Sequence, residues 1–551
     1  MKILYKIAPI LFLMLNCISS SEPVNQLYIR LNQVGYLPAD QKSALILSKK
    51  ETGGSKFAVV NSFNGKVSIE GSLTQASGFY GDFRYVYKID FTNVTEQGKY
   101  FLRINGSNST SFSISEKLFN PLVDSLLSFF KIQRCGYTDP KLHSLCHIAD
   151  ATSVVDGKKN LDVKRDLTGG WHDAGDYVKF LNTTAVATYT LLFAYDFDPV
   201  KFGFDNNMNN VPDILEEAKV GLDWMLRCNY SSTKLVTQVQ DLRDHDVGWR
   251  MPEKDNLQYD RPAFIGIGKN LIGIYCSALA LASKIWKEKI KYPEFAEKCL
   301  STAVTVYSIR NSVPDVDTSG TGNYIDKDFA GKLALGAYEL FAVTNKREYL
   351  NQSFLYADKA GSDFWWSWGN INSFAHYRLA QHDRKYLTYI EKNLNNFLDS
   401  SSKNVFEIGA IATWGTNNTL LGISLQSILW KKLTGKSKYD RLAIIQRDFV
   451  LGRNPWGISF VSNFGTNPVK NFHHQVAFLN GGKLSGGFAA GPAKKEFVKN
   501  FKIPYEKNDI YSIFQTEDLY YRDDRMDYIT NEPTIVANAT AIFVFGFYIK
   551  Y

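Results

Sequence analysis

The sequence predicts a two-part chain, a small all-β sandwich followed by a large all-α domain. Three observations carry this reading. Residues 27–114 alternate apolar and polar side chains in short runs separated by turn residues, and after Ser115 the apolar period lengthens to that of helices. The 551 residues are 45% apolar and 21% charged, with 39 Gly and 16 Pro, which is globular composition. That length accommodates one small and one large domain.

The runs at 27–31, 44–47, 57–60, 85–89 and 100–104 are rich in β-formers. Gly65, Gly81, Gly98 and Gly106 punctuate them, and Asn64-Gly65 is a tight-turn dipeptide. Several strands in under 100 residues make 26–115 a β-sandwich. Helical patterns follow at 120–130, at 212–226 with Pro212 just inside its start, and at 272–285, 295–309, 332–343, 352–363 and 533–547. Long loops rich in Gly, Asn and Asp separate them, without a repeat of fixed period. Such an array fits one α-domain over 119–551, with function carried by its loops.

The formal charge is +8, and it falls to +6 without Lys2 and Lys6; no Lys/Arg block exists, which argues against a nucleic-acid partner. Residues 1–22 read as an export signal: Lys2 and Lys6, an apolar stretch from Ile7 to Leu15 too short to span a bilayer, then small polar residues. Cys17 stands where a lipoprotein signal places its lipidated cysteine, although Asn16 replaces the usual small residue before it. The expected location is therefore secreted or anchored at the cell surface or outer membrane, and the chain is read as a monomer. Five further cysteines in a chain this size do not make a disulfide-built scaffold; Cys228 and Cys276 lie in helical patterns as buried thiols.

Three loop segments concentrate acids, histidines, glycines and aromatics. In Gly169-Gly170-Trp171-His172-Asp173-Ala174-Gly175-Asp176-Tyr177, two carboxylates three residues apart can aim at one water if the loop is tight, though Asp-Ala-Gly-Asp is also common turn composition. The second segment runs from Gly465-Thr466-Asn467-Pro468 to His473-His474-Gln475. The third holds Tyr521-Arg522-Asp523, Tyr528, Asn531-Glu532 and Asn538-Ala539. Glu532 precedes an apolar helix among aromatics, where desolvation raises a carboxylic acid's pKa; an acid favoured by the helix dipole fits the same position.

Together these segments resemble glycoside hydrolase family 9. Tyr521-x-Asp523-x4-Tyr528-x3-Glu532-x-Thr534-x3-Asn538-Ala539 is similar to the family's acid signature, Gly170 through Asp176 to its aspartate loop, and Ser459-x-Val461-Ser462-x2-Gly465-x-Asn467, ending at His473, to its histidine signature. Residues 27–114, around Leu31-Asn32-Gln33-Val34-Gly35-Tyr36, look like the immunoglobulin-like module that precedes the catalytic domain in one branch of that family.

The resemblance implies an (α/α)6 barrel whose loops line an open cleft, and inverting hydrolysis of internal β-1,4-glucosidic bonds in cellulose or a related β-glucan. Inversion requires an acid at the leaving oxygen and a base that activates water on the opposite face, roughly 6.5–9.5 Å away. Glu532 takes the acid role and Asp176 the base role, with Asp173 holding the same water. His473, Gln475, Asp523 and Tyr528 are the implied substrate contacts. Phe472 replaces the usual Pro or aliphatic residue, and Gln475 replaces the usual Arg, which keeps hydrogen-bonding capacity but loses the charged fork.

Cys135, Cys146-His147 and His172 supply two thiolates and two imidazoles, enough for tetrahedral zinc; their spacing matches no common zinc motif, and a Cys135–Cys146 disulfide or buried thiols fit as well. The family resemblance implies a structural zinc site. Asp205-x-Asn207-x-Asn209 resembles the start of a calcium loop, with Asn210 where Gly is usual; a polar turn before the Pro212 helix accounts for the same residues. A second calcium site of the family uses acids ahead of an Ala-rich helix, and the corresponding Gly268–Ile274 stretch lacks them.

Trp171, Trp249 and the Trp365, Trp366, Trp368 group are candidate sugar platforms, with core packing the competing role for each. Within the same chemistry the alternatives are a xyloglucanase and an exo-acting β-glucosidase or glucosaminidase. Outside it they are a non-catalytic glycan-binding protein, which would need neither acid nor base, and a zinc hydrolase, which would need an open metal position.

Overall fold

A computed structural model describes residues 26–255, 261–321 and 324–550. The segment read as an export signal, with Cys17, lies outside the described residues.

The N-terminal part is a two-sheet sandwich. One sheet pairs β1 (Tyr28–Arg30), β3 (Ser43–Ser48), β7 (Phe83–Asp90) and β6 (Gly78–Tyr80) in that order; the other runs β2 (Gly35–Tyr36), β10 (Phe112–Ile114), β8 (Gly98–Ile104), β4 (Lys56–Asn61), β5 (Val67–Ser72), with β9 (Ser107–Asn108) beside β8. All five sequence-predicted strands are present. Asn64-Gly65 turns β4 into β5, with Gly65 at φ +71°.

The period-2 rule explains how this module is attached. Ala44, Ile46, Tyr87 and Ile89 face the sandwich interior with Tyr100 and Leu102. Leu45, Leu47, Phe83 and Val86 point the other way into the core of the helical domain. Strand β3 is thus buried on both faces, which is why it reads as a continuous apolar run. Polar side chains of the module also enter the helical domain. Gln33 donates its backbone N–H to Leu451 O (2.9 Å), and its Oε1 accepts from Asn467 N–H (2.7 Å) and Thr466 Oγ1 (3.1 Å). Asn32 donates to Asp448 at 2.8 Å, and the buried Arg447 reaches Asp40 at 2.8 Å.

The second part is an (α/α)6 barrel. Six inner helices, α2 (Leu181–Phe197), α4 (Lys269–Ile285), α6 (Ala330–Thr344), α8 (Asn372–Leu379), α10 (Thr416–Thr434) and α14 (Ile535–Phe547), each pack on the next and α14 closes on α2. Six outer helices, α1 (Asn120–Gln133), α3 (Asp213–Arg227), α5 (Pro293–Ser308), α7 (Arg347–Ala360), α9 (Lys385–Ser401) and α11 (Asp440–Val450), each pack on an inner one. The inner helices are buried almost all round and the outer ones on one stripe, as the two layers require. Pro212 caps α3 from outside rather than occupying its first turn.

Two short helices, α12 (Gln475–Leu479) and α13 (Lys495–Asn500), lie in the long stretch before α14. The barrel also carries a small sheet that the sequence reading did not include: β12 (Lys159–Asn160), β11 (Ser153–Asp156), β16 (Pro262–Gly266), β15 (Lys234–Val239) and β13 (Lys179–Phe180) in that order, with β14 (Asn229–Ser231) on β15. It frames the loop that bears Asp173 and Asp176. Among the described residues no helix is long and apolar enough to cross a membrane.

Candidate active site

The three loop segments singled out in the sequence meet at Gly175. Its N–H donates to Glu532 Oε1 (3.2 Å), and its carbonyl accepts from Gln475 N–H (2.9 Å). A Cβ at this position would stand 2.3 Å from the His473 carbonyl oxygen, so only glycine lets the aspartate loop touch both other segments. The loop is fixed locally as well. Asp173 N–H bonds Val178 O, Val178 N–H bonds Asp176 Oδ1, and Gln133 donates to the carbonyls of His172 and Ala174 while accepting from His474 Nε2 at 2.6 Å. Trp171 is a wedge, not a sugar platform: it is fully buried, donates to Glu217 at 2.8 Å, and fits because Gly221 leaves its ring room.

The carboxyl groups sit in different surroundings. Burial, reinforced by the charge of Asp176, pushes Glu532 well above the usual carboxyl range, and the single Gly175 N–H does not offset this. Burial also pushes Asp173 up to about 7, against the hydroxyls of Thr183 and Tyr324; its Oδ1 is buried without a protein partner. Asp176 receives hydrogen bonds at both oxygens, from Val178 N–H (2.9 Å) and from His245 Nε2 (2.7 Å). That bond raises His245 to about 9, so the imidazole is cationic at neutral pH. Among the described residues no hydrogen bond joins Asp176 to Glu532.

His473 donates from Nδ1 to Arg525 O (2.8 Å), which assigns the tautomer and leaves Nε2 as an acceptor. Burial lowers it to about 4, keeping it neutral. Its ring is held edge-on between Trp249 (5.0 Å) and Tyr528 (5.7 Å). Trp249 stacks on Phe478 at 4.2 Å, and Tyr528 continues to Trp414 (5.8 Å) and Phe501 (5.9 Å), which are 44% and 40% exposed. A row of rings therefore leads from the histidine to the surface.

Two of the expected substrate contacts also brace the framework. Gln475 is buried and accepts from Arg250 N–H at 2.8 Å. Asp523 accepts from the backbone of Lys470 and Asn471, bracing the chain just before His473. Conversely, His245 and Tyr324 were not anticipated as site residues. Asp244-His245 lies just ahead of Trp249, and nothing in the sequence ties it to Asp176, 69 positions earlier.

Cys135, Cys146, His147 and His172 are all buried, and their ligand atoms lie within 4.8 Å of one another. Both cysteines are free thiols, which removes the disulfide reading. His147 Nε2 bonds Asp255 at 3.0 Å, leaving Nδ1 to face His172 Nε2 at 3.2 Å, the arrangement of a carboxylate-oriented metal ligand. Burial lowers His172 to about 4, so the ring is neutral and one of its two nitrogens has a lone pair to offer a metal. Burial disfavours a thiolate at Cys135, but Cys146, the Lys179 ammonium and both imidazoles outweigh it and hold that thiol well below its usual range. Four soft or borderline donors converging in this way fit a tetrahedral metal, with no position left for water.

The Asp205 stretch behaves differently. Asp205 accepts from the N–H groups of Asn209 and Asn210, and Asn207 and Asn209 turn their amides onto Glu216. It is a self-closed polar turn ahead of α3.

A carboxyl kept neutral by burial beside a hydrogen-bonded carboxylate, next to a row of aromatic rings, is the equipment of a glycoside-cleaving enzyme. The sequence profile of "Glycosyl hydrolase family 9" matches residues 119–545, and that of "Cellulase N-terminal ig-like domain" matches 25–109; the chain belongs to glycosyl hydrolase family 9. Similar proteins include Endoglucanase D of Acetivibrio thermocellus, 27% identical over 522 residues that span 88% of this chain and 80% of that one. Xyloglucan-specific endo-beta-1,4-glucanase BoGH9A of Bacteroides ovatus is 24% identical over 96% of this chain and 94% of its own length. Among solved structures, a metagenome-derived glycoside hydrolase family 9 endoglucanase superposes with a TM-score of 0.82 at 26% identity, covering 95% of this chain and 99% of that one.

Proposed function

We propose that this glycoside hydrolase is an exported, inverting endo-β-1,4-glucanase in which Glu532 is the general acid and Asp176 the general base. The observation that carries the reading is the Glu532–Gly175 contact: a carboxyl kept protonated by burial is tied one residue away from the carboxylate of Asp176. As the glycosidic C–O bond breaks, Glu532 gives its proton to the leaving oxygen. A water on the opposite face attacks the anomeric carbon and passes its proton to Asp176, inverting the configuration there. Asp173, buried with an unpaired oxygen, holds that water. Neutral His473 accepts from a sugar hydroxyl through Nε2, and Tyr528 and Trp414 offer apolar faces to pyranose rings.

Glu532→Gln tests this assignment. It should remove at least about 10³-fold of kcat on unactivated glucan while leaving the melting temperature intact; a variant with wild-type turnover would overturn the acid role. Early viscosity loss on soluble glucan distinguishes internal cutting from exo action. A xyloglucanase is the second reading, favoured by the nearly full-length match to BoGH9A, and relative kcat/KM on xyloglucan and unbranched glucan decides it.

Zinc is the metal we assign to the Cys135, Cys146, His147 and His172 cluster. Its four protein ligands leave it a structural brace for the loop from His172 to Asp176, and no step of hydrolysis runs through it. Export rests on the Lys2-to-Leu15 segment, with Cys17 as the candidate lipid attachment point.

A further inference from the structure

Lys332, near the start of α6, is 1% exposed. Its ammonium donates to Asp328 O (2.8 Å), Gly369 O (2.6 Å) and the Asp326 carboxylate. An ammonium has three N–H donors, and here three oxygens from three separate chain positions take them. The surroundings are built tightly. A Cβ on Gly273 of α4 would lie 2.4 Å from the Lys332 carbonyl carbon, and one on Gly331 would lie 1.8 Å from Asn372 Oδ1. Glycine at both places therefore lets α4 and α8 close on α6 at the level of this charge. Asn270 at the head of α4 completes the corner, donating to Asp326 O (3.1 Å) and accepting from Asp317 N–H (3.0 Å).

One carboxylate and two peptide carbonyls are the donors of a hard-cation site. The Gly268–Ile274 stretch that opens α4 does not fit calcium: it offers no acid, and Lys269 pairs there with Asp315 at 2.7 Å. We propose that the Asp326–Asp328–Gly369 oxygen cage is a cation site filled by the protein's own Lys332. The ammonium joins α6 to the segments leading into α6 and α8, with α4 tied to the same corner through Asn270, as a covalently attached counterpart of a bound ion. The site lies two residues beyond Tyr324, whose hydroxyl faces Asp173, so the same ion fixes the strand of chain beside the catalytic loop.

Melting temperatures of the full chain, with zinc present in slight excess, test the proposal at constant ionic strength in sodium, methylammonium or calcium chloride. Lys332→Met, which keeps the stem and loses the charge, should melt about 5 °C or more below wild type in every salt. Lys332→Ala, which empties the cage, should melt low in sodium and recover at least half of its loss in methylammonium or calcium, beyond any shift those salts cause in wild type. Should Lys332→Ala accumulate only when one of those cations is supplied during refolding, that is the same result. A Met variant as stable as wild type would show that the charge is not needed. An Ala variant that gains no more from either cation than wild type, or that fails to fold with both, would show that the cage is not a cation site.

Discussion

His245 Nε2 stands 2.7 Å from Asp176 Oδ2, placing an imidazolium against the proposed general base. The bond raises His245 to about 9. Because this folded value exceeds the unfolded value of about 6.5, the pair's contribution to stability is complete below pH 6.5 and is lost as pH rises through about 9. His245→Gln removes the charge from the carboxylate it faces. Its kcat should fall roughly 10²-fold, with KM little changed and the acid limb of kcat/KM moved to higher pH. A pH–rate profile superimposable on wild type would remove His245 from the site.

Asp173 gives a stability slope of the same sign in a lower pH window, but here burial penalises the charged form rather than a partner favouring it. Its folded value of about 7 lies above the unfolded value of about 3.9, so between those limits the folded chain holds a proton that the unfolded chain has released. Stability therefore declines as pH rises from 4 to 7. Asp173→Asn abolishes that titration, and the difference between the two stability–pH curves should reach about 2–4 kcal/mol at pH 7. Parallel curves for the two proteins would contradict it.

At Gly175 the constraint is steric. Gly175→Ala puts a methyl 2.3 Å from the His473 carbonyl oxygen, so the two loops must part. Displacement of that order costs about 10²-fold in kcat. The loss should exceed that of the neighbouring Ala174→Gly, and it should appear in kcat on short oligosaccharides and polymers alike.

Metal analysis should find one zinc per chain. Cys146→Ser should lower both metal content and melting temperature while the fraction still folded keeps its turnover number. Asp255→Asn, which reaches the metal site through His147 while also loosening its pairs with Arg250 and Arg261, should weaken zinc about 10–100-fold in a chelator competition. A metal-free preparation with unchanged melting temperature would exclude the structural role.

Much of this molecule was legible in its residues because burial leaves periodic marks. The five strands at 27–104 and some helices with one apolar stripe, such as α3, came directly from spacing, although α9 and α11, which carry such a stripe, did not. Inner helices α2 and α10 escaped for the reverse reason: with nearly every side chain buried, Thr, Asn and Ser included, they carry no face to detect. The three loops were recognisable by composition and resemblance, yet their meeting at Gly175 depends on contacts across hundreds of residues. His245 and Lys332 were invisible because a lone histidine or lysine in sequence does not announce a partner. Gln475 and Asp523 show the converse: polar residues in a functional loop serve its backbone as well, and spacing gives no sign of those contacts.

Gln33 satisfies the backbone N–H of Asn467, while Arg447 hands its charge across to Asp40. Excising the N-terminal sandwich would take the acceptor from that donor, leave Arg447 with Asp448 as its remaining carboxylate, and open the apolar seam beside the stretch leading to His473 to water. The sandwich is thus closer to a keystone than to an appended bead, and its loss or exchange during evolution would demand matching repairs on the barrel side. Hybrid enzymes built by swapping such modules should succeed only when both halves of this seam travel together.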